Sequence, residues 1–100
     1  MFRLIRVEGD SMSPALENGD YILIKKARLQ VKLRPGLIYV VNHDRLGRII
    51  KRLKSVDEDG LWFSGDNPAS TSTQSLGPAR PSDLNGRAFL RISPQGIRII

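Results

Sequence analysis

Arg48-Ile49-Ile50-Lys51-Arg52-Leu53-Lys54-Ser55-Val56 is the stretch whose reading decides the fold. Taken as a strand with a period of two, it puts Ile49, Lys51, Leu53 and Ser55 on one face and Ile50, Arg52, Lys54 and Val56 on the other. Lys51 then sits between two apolar neighbours, and Arg52 and Lys54 are left to the opposite, wetter side. On the C-terminal side Asp57-Glu58-Asp59-Gly60 is an acidic turn, and Leu61-Trp62-Phe63-Ser64 returns as a second strand, which makes a hairpin. On the N-terminal side His43-Asp44-Arg45-Leu46-Gly47 connects back to residues 37–42. That continuous apolar run follows the Pro35-Gly36 turn and is expected to be buried on both faces.

The remaining segments fit the same pattern of short strands and sharp turns. Residues 4–7 read as a strand running into the Gly9-Asp10-Ser11 turn, Pro14-Ala15-Leu16-Glu17 as a single helical turn, and Tyr21-Ile22-Leu23-Ile24-Lys25 as a strand after Asn18-Gly19-Asp20. Residues 25–34 are basic and aperiodic. Residues 65–85 are rich in Ser, Thr, Gly and Pro with almost no apolar content, so a long loop is expected there. Residues 86–92 alternate Arg87, Phe89 and Arg91 against Ala88, Leu90 and Ile92, a strand with one basic face; Pro94-Gln95-Gly96 turns into a last apolar strand. The fold class expected is all-β, mainly antiparallel, a small coiled sheet or barrel formed by one domain over residues 1–100.

The 100 residues contain no cysteine and one histidine, which rules out disulfides, a cysteine nucleophile and a zinc site of Cys and His ligands; neither metal nor cofactor is expected. The longest apolar runs fall far short of the roughly 18 residues a membrane span needs. Arg6 and Glu8 also interrupt the apolar core that an N-terminal signal peptide would require, so a soluble cytoplasmic protein without a membrane anchor is expected. The net charge of +6 is scattered from Arg3 to Arg98 without a cluster of stacking aromatics, the pattern of a solvated basic surface and not of a nucleic-acid binder.

Chemistry concentrates in residues 8–20, where a turn holds Ser11 out from the sheet. Serine needs a base to act as a nucleophile. A triad would have to recruit His43, the only histidine, which reads instead as an ordinary exposed residue of a hairpin turn. Lysine is the other possible base. A free lysine, with a pKa of about 10.4, stays protonated at neutral pH, but burial among apolar groups lowers that value by up to ~3–5 units. Lys51, between Ile49 and Leu53, is the lysine whose pattern predicts such burial, and the backbone N–H of Ser11 is then one candidate oxyanion donor. The competing reading of the same residues is a surface serine in a turn and a snorkelling lysine.

Val7-Glu8-Gly9-Asp10-Ser11-Met12-Ser13-Pro14 with Gly19-Asp20, then Ile50-Lys51-Arg52, Gly65-Asp66-Asn67 and Gly86-Arg87, resembles the ordered boxes of type I signal peptidases. The Ser-Met and Lys-Arg boxes are shared with the self-cleaving domains of SOS-response repressors, so the resemblance is to the S24/S26 superfamily of Ser/Lys peptidases. It implies Ser11 as nucleophile, Lys51 as general base, and a protein or peptide substrate added to a sheet edge as an extended strand. Where many signal peptidases carry an oxyanion-donating serine, this chain has Gly9, so backbone N–H groups or water would serve. Met12 belongs to the Ser-Met box, and Asp66 either supports the site or makes an ordinary Asp-Asn-Pro turn. The hydroxyl that steadies the lysine falls to Ser70 or Thr71. The family's following Asp and Arg are replaced by Ser70-Thr71-Ser72-Thr73-Gln74-Ser75.

The resemblance lies nearest to the small anchorless maturation proteases of nickel-type superoxide dismutase, which remove a short N-terminal extension from a precursor. Two alternatives stand beside it: a non-catalytic β module that binds a peptide or an anionic partner, and a repressor-type self-cleavage domain. The chain contains neither the Ala-Gly nor the Cys-Gly bond such repressors cut.

Overall fold

The period of two read in residues 48–56 holds as far as Leu53 and then breaks. The computed structural model describes residues 1–26 and 33–100. Its strands are β1 (Phe2–Arg6), β2 (Tyr21–Lys25), β3 (Ile38–His43), β4 (Gly47–Asp57), β5 (Gly60–Ser64), β6 (Leu84–Ser93) and β7 (Gly96–Ile99), with one short helix, α1 (Thr73–Leu76). They form a single antiparallel sheet in the order β1-β2-β6-β3-β4-β5, with β7 paired to β6. The expected all-β antiparallel class is therefore what the chain adopts. The basic, aperiodic stretch falls largely outside the described residues.

Both sheet faces carry a core. On one, Ile5, Ile22, Ile24, Ile38, Val40 and Ala88 pack together, closed by Val7, Met12 and Leu16 from the segment after β1. On the other, Tyr39, Val41, Leu53, Leu61 and Phe63 pack under Leu76. Because β3 supplies both clusters, residues 38–41 are all buried, as their unbroken apolar run predicts. Lys51 lies directly across from Tyr39, and Ile49 across from Val41, so the lysine belongs to the second face.

Two expectations need correcting. Residues 65–85 are not a plain loop: α1, a 3-10 turn at Pro81–Asp83 and a bridge between Leu61 and Ala79 make them a cover for β3, β4 and β5. One buried apolar side chain, Leu76, is enough to dock the segment, which is why its composition hid it. Nor does β6 present one basic face. A register shift opposite Leu23 and Ile24 pairs Leu90 with Leu23 but Ala88 with Ile24, so the alternation is broken at Phe89. Arg91 consequently turns towards Asp20, where its Nε donates to Oδ2 at 2.7 Å.

Gly86 is where β6 passes between β2 and β3. A Cβ there would stand 2.6 Å from the carbonyl oxygen of Lys25, a backbone atom that cannot step aside alone. Gly86→Ala is expected to cost about 1–3 kcal/mol, measured by urea unfolding. Unchanged stability would mean the β2–β6 contact is looser than described.

β5 pairs with β4 only from Arg52 to Asp57, while β3 pairs with β4 from Gly47 to Arg52. Among the described residues, the β5-side edge of residues 47–51 therefore carries no strand.

Candidate active site

Ser11 is held by the residues on either side of it. After β1 the ladder to β2 extends by two bonds, Val7 N–H to the Asp20 carbonyl at 2.7 Å and Gly19 N–H to the Val7 carbonyl at 2.8 Å, which close the base of the loop. Within it, Leu16 N–H donates to the Met12 carbonyl at 2.9 Å, so a single α-type turn forms where Pro14-Ala15-Leu16-Glu17 predicts one. Met12 and Leu16 drive this turn into the first core, at 1% and 0% exposure, and Ser11 stays half-exposed at its lip. Met12 thus anchors the serine mechanically.

Lys51 is only 4% exposed although it is a lysine. Burial alone pushes its ammonium below the ordinary lysine range, with no charged partner contributing. Ser11 and Lys51 line one cleft of about 350 Å³, together with Ile5, Val7, Met12 and Ile50. Among the described residues no hydrogen bond joins Ser11 Oγ to Lys51 Nζ, and no buried side-chain polar atom lacks a partner, so both tips open on the cleft. Hydrogen bonds between catalytic groups often tighten only when substrate is bound.

The Gly65-Asp66-Asn67 segment supports the serine from behind. Asn67 N–H donates to the Ser11 carbonyl at 2.9 Å, and Asn67 Nδ2 to the Asp10 carbonyl at 3.0 Å. Asp66 binds Arg52 through both oxygens, Nε to Oδ1 at 2.8 Å and Nη2 to Oδ2 at 2.6 Å, while Arg52 Nη1 donates to the Gly36 carbonyl at 2.6 Å. This paired geometry is the strong form of the Arg–carboxylate bond, and it holds the Arg52 guanidinium still more firmly in its charged form. The expected wet-side arginine is in fact half-buried. The neighbour of Lys51 in the strand thereby ties the strand to the segment that ties down Ser11.

The remaining candidates separate. Ser70 is half-buried against Gly65, whose missing Cβ would otherwise collide with the Ser70 side chain, whereas Thr71 is exposed. Gly9 adopts a left-handed φ of 84°, and its N–H donates to Asn18 Oδ1 at 2.8 Å, which removes it from the possible oxyanion donors. Among the described residues the N–H groups of Ser11 and Met12 have no protein acceptor.

The expected exposed histidine is a second correction. The His43 side chain is 8% exposed at the end of β3. Its Nδ1 accepts N–H groups from Arg45 at 3.1 Å and Leu46 at 3.2 Å, which leaves Nε2 as the protonated nitrogen, donating to the Leu76 carbonyl at 2.8 Å. It lines a different hollow from Ser11.

The chain thus combines a single antiparallel sheet with a serine-bearing turn and a buried strand lysine that line one cleft. The Peptidase S24-like family model matches residues 2–88, and the chain belongs to that family. No curated protein matches it. No helix among the described residues is long and apolar enough to cross a membrane.

Proposed function

We propose that the chain is a serine endopeptidase that carries out limited proteolysis, with Ser11 as nucleophile and Lys51 as general base. The observation that carries this reading is the shared cleft: a lip-mounted serine and a lysine whose pKa is lowered by burial open on the same space. An extended substrate adds to the bare edge of residues 47–51 and brings its scissile carbonyl to Ser11. Neutral Lys51 takes the proton as Ser11 Oγ attacks, the N–H of Ser11 faces the developing oxyanion, and Lys51 then gives the proton to the leaving amine. Water, activated by the same amine, releases the acyl group. The role we assign, on resemblance to the nickel-type superoxide dismutase maturation proteases, is removal of a short N-terminal extension from a cytoplasmic precursor.

Incubating the protein with a pool of extended precursor peptides and reading the products by mass spectrometry tests this. Cleavage at one or a few bonds, lost in Ser11→Ala with the fold intact, is the expected result. No cleavage of any peptide, with peptide binding equal in parent and Ser11→Ala, would favour the non-catalytic β module. Ser11-dependent cutting of the chain itself, and of nothing else, would favour self-cleavage.

A further inference from the structure

The loop that carries Ser11 has a second attachment to the sheet, at its far end. Asp20 closes the loop, and its side chain is 4% exposed although it is a carboxylate. Its Oδ2 accepts two bonds, from Glu17 N–H at 2.9 Å and from Arg91 Nε at 2.7 Å. The Asp20 N–H donates in turn to the Glu17 carbonyl at 3.0 Å, and its own carbonyl accepts the N–H of Val7, the residue that follows β1. Arg91 stands opposite Ile22, a first-core residue, so its side chain emerges on the face where the serine loop lies. One buried residue therefore joins the end of the Met12–Leu16 turn, the start of the loop and β6.

Among the described ion pairs this one is the most deeply buried, with the Arg91 side chain 19% exposed; the Arg52–Asp66 pair is more open. A buried pair is sensitive to the loss of one partner, because the survivor is left in the interior uncompensated. The two braces of the turn also divide the work. Asn67 holds its leading end, at the Asp10 and Ser11 carbonyls, and Asp20 holds its trailing end, at Glu17. With both ends fixed and Met12 and Leu16 buried between them, the turn has one seat, and Ser11 has one place on the cleft it shares with Lys51.

We propose that Asp20 and Arg91 are positioning residues for Ser11, a charged clamp that seats the trailing end of the serine turn on β6. The proposal rests on the peptidase reading above and adds to it two residues that do not line the cleft.

Three variants test the clamp. Arg91→Gln removes the cation. Arg91→Lys keeps it, and because the bond shown is a single one from Nε, an ammonium can take its place. Asp20→Asn preserves the size of the side chain and an oxygen for Glu17 N–H, and carries the test if Arg91→Gln does not fold. The measurements are amide hydrogen exchange by NMR, at a temperature where circular dichroism reports each variant folded, and kcat and KM on the best-cut peptide of the precursor pool. In Arg91→Gln and Asp20→Asn the Leu16 and Glu17 amides are expected to exchange about tenfold faster, while Ile22 and Ile24 of β2 change by less than about twofold. A displacement of Ser11 smaller than 1 Å should lower kcat by about tenfold and leave KM unchanged. Arg91→Lys should restore exchange and kcat to within about threefold of the parent. Equal acceleration in the loop and in β2 with kcat unchanged would make the pair a plain stabiliser of the fold and overturn the proposal. Unchanged Leu16 and Glu17 exchange, or Arg91→Lys behaving like Arg91→Gln, would overturn it as well. A parent that cuts no peptide sinks the peptidase reading, and the exchange pattern alone then decides whether the pair clamps the turn.

Discussion

Lys51→Met is expected to abolish peptide cleavage and to raise the thermal stability of the fold. Loss of the general base removes a contribution typically worth ~10²–10⁴ in rate. The stability change runs the other way because Lys51 is buried opposite Tyr39 and beside Leu53, with no carboxylate to offset the desolvation of its charge. Its pKa is lower in the folded chain than in the unfolded one, so the folded state binds fewer protons. Stability attributable to this residue is therefore fully present above the unfolded lysine pKa and is lost as pH falls towards the folded value. Methionine is likewise unbranched, one atom shorter, and has no charge to desolvate. A gain of up to ~1 kcal/mol, or about 4–8 °C in Tm, is expected at neutral pH, shrinking as pH rises. A variant less stable than the parent at every pH would contradict the burial of an uncompensated amine.

Gly65→Ala is expected to disable the site from behind. A Cβ at residue 65 would stand 2.6 Å from the Ser11 carbonyl oxygen and inside the Ser70 side chain. The Ser11 carbonyl is the acceptor that Asn67 N–H uses, so pushing it away breaks the tie between the two segments. Displacement of a nucleophile by about 1 Å costs on the order of 10² in rate, and the overpacking costs about 1–3 kcal/mol in stability. The measurement is kcat and KM with Tm: the loss should fall mainly on kcat, because the bare edge of residues 47–51 is untouched. Full activity would show that Ser11 does not depend on this support.

Much of this organisation is legible in the residues. The alternation of Ile49, Lys51 and Leu53 predicts a lysine on an apolar face, and Lys51 lies there; the unbroken run at residues 38–41 predicts burial on both sides, and all four of those residues of β3 are buried. What escaped has a common cause, dependence on contacts between segments far apart in the chain. Arg52 reads as a solvent-facing arginine until Asp66, 14 residues away, is brought against it. Residues 65–85 read as a loop because Leu76 is their one fully buried apolar side chain, with Ala79 and Leu84 only partly buried against the same core. The basic face expected for β6 fails at Phe89, where a register shift swaps the parity of everything after it. His43 lies in a turn-rich stretch, yet two backbone N–H groups and the Leu76 carbonyl enclose it. Of the candidate site, the strand pattern and the box resemblance single out Ser11 and Lys51, which line one cleft. The packing of Ser70 against Gly65, and the use of the Gly9 N–H by Asn18, required the folded chain.

The claim that Lys51 is the base for Ser11 is tested most directly by titrating the Lys51 amine itself, by heteronuclear NMR of its side chain, alongside the pH dependence of kcat/KM. A base must be neutral to act, so activity should rise with pH through the folded-state pKa of Lys51. The amine is expected to titrate below the ordinary lysine range, and the acid limb of kcat/KM to have the same midpoint. An amine that titrates like an exposed lysine, or an acid limb that survives unchanged in Lys51→Met, would contradict the claim.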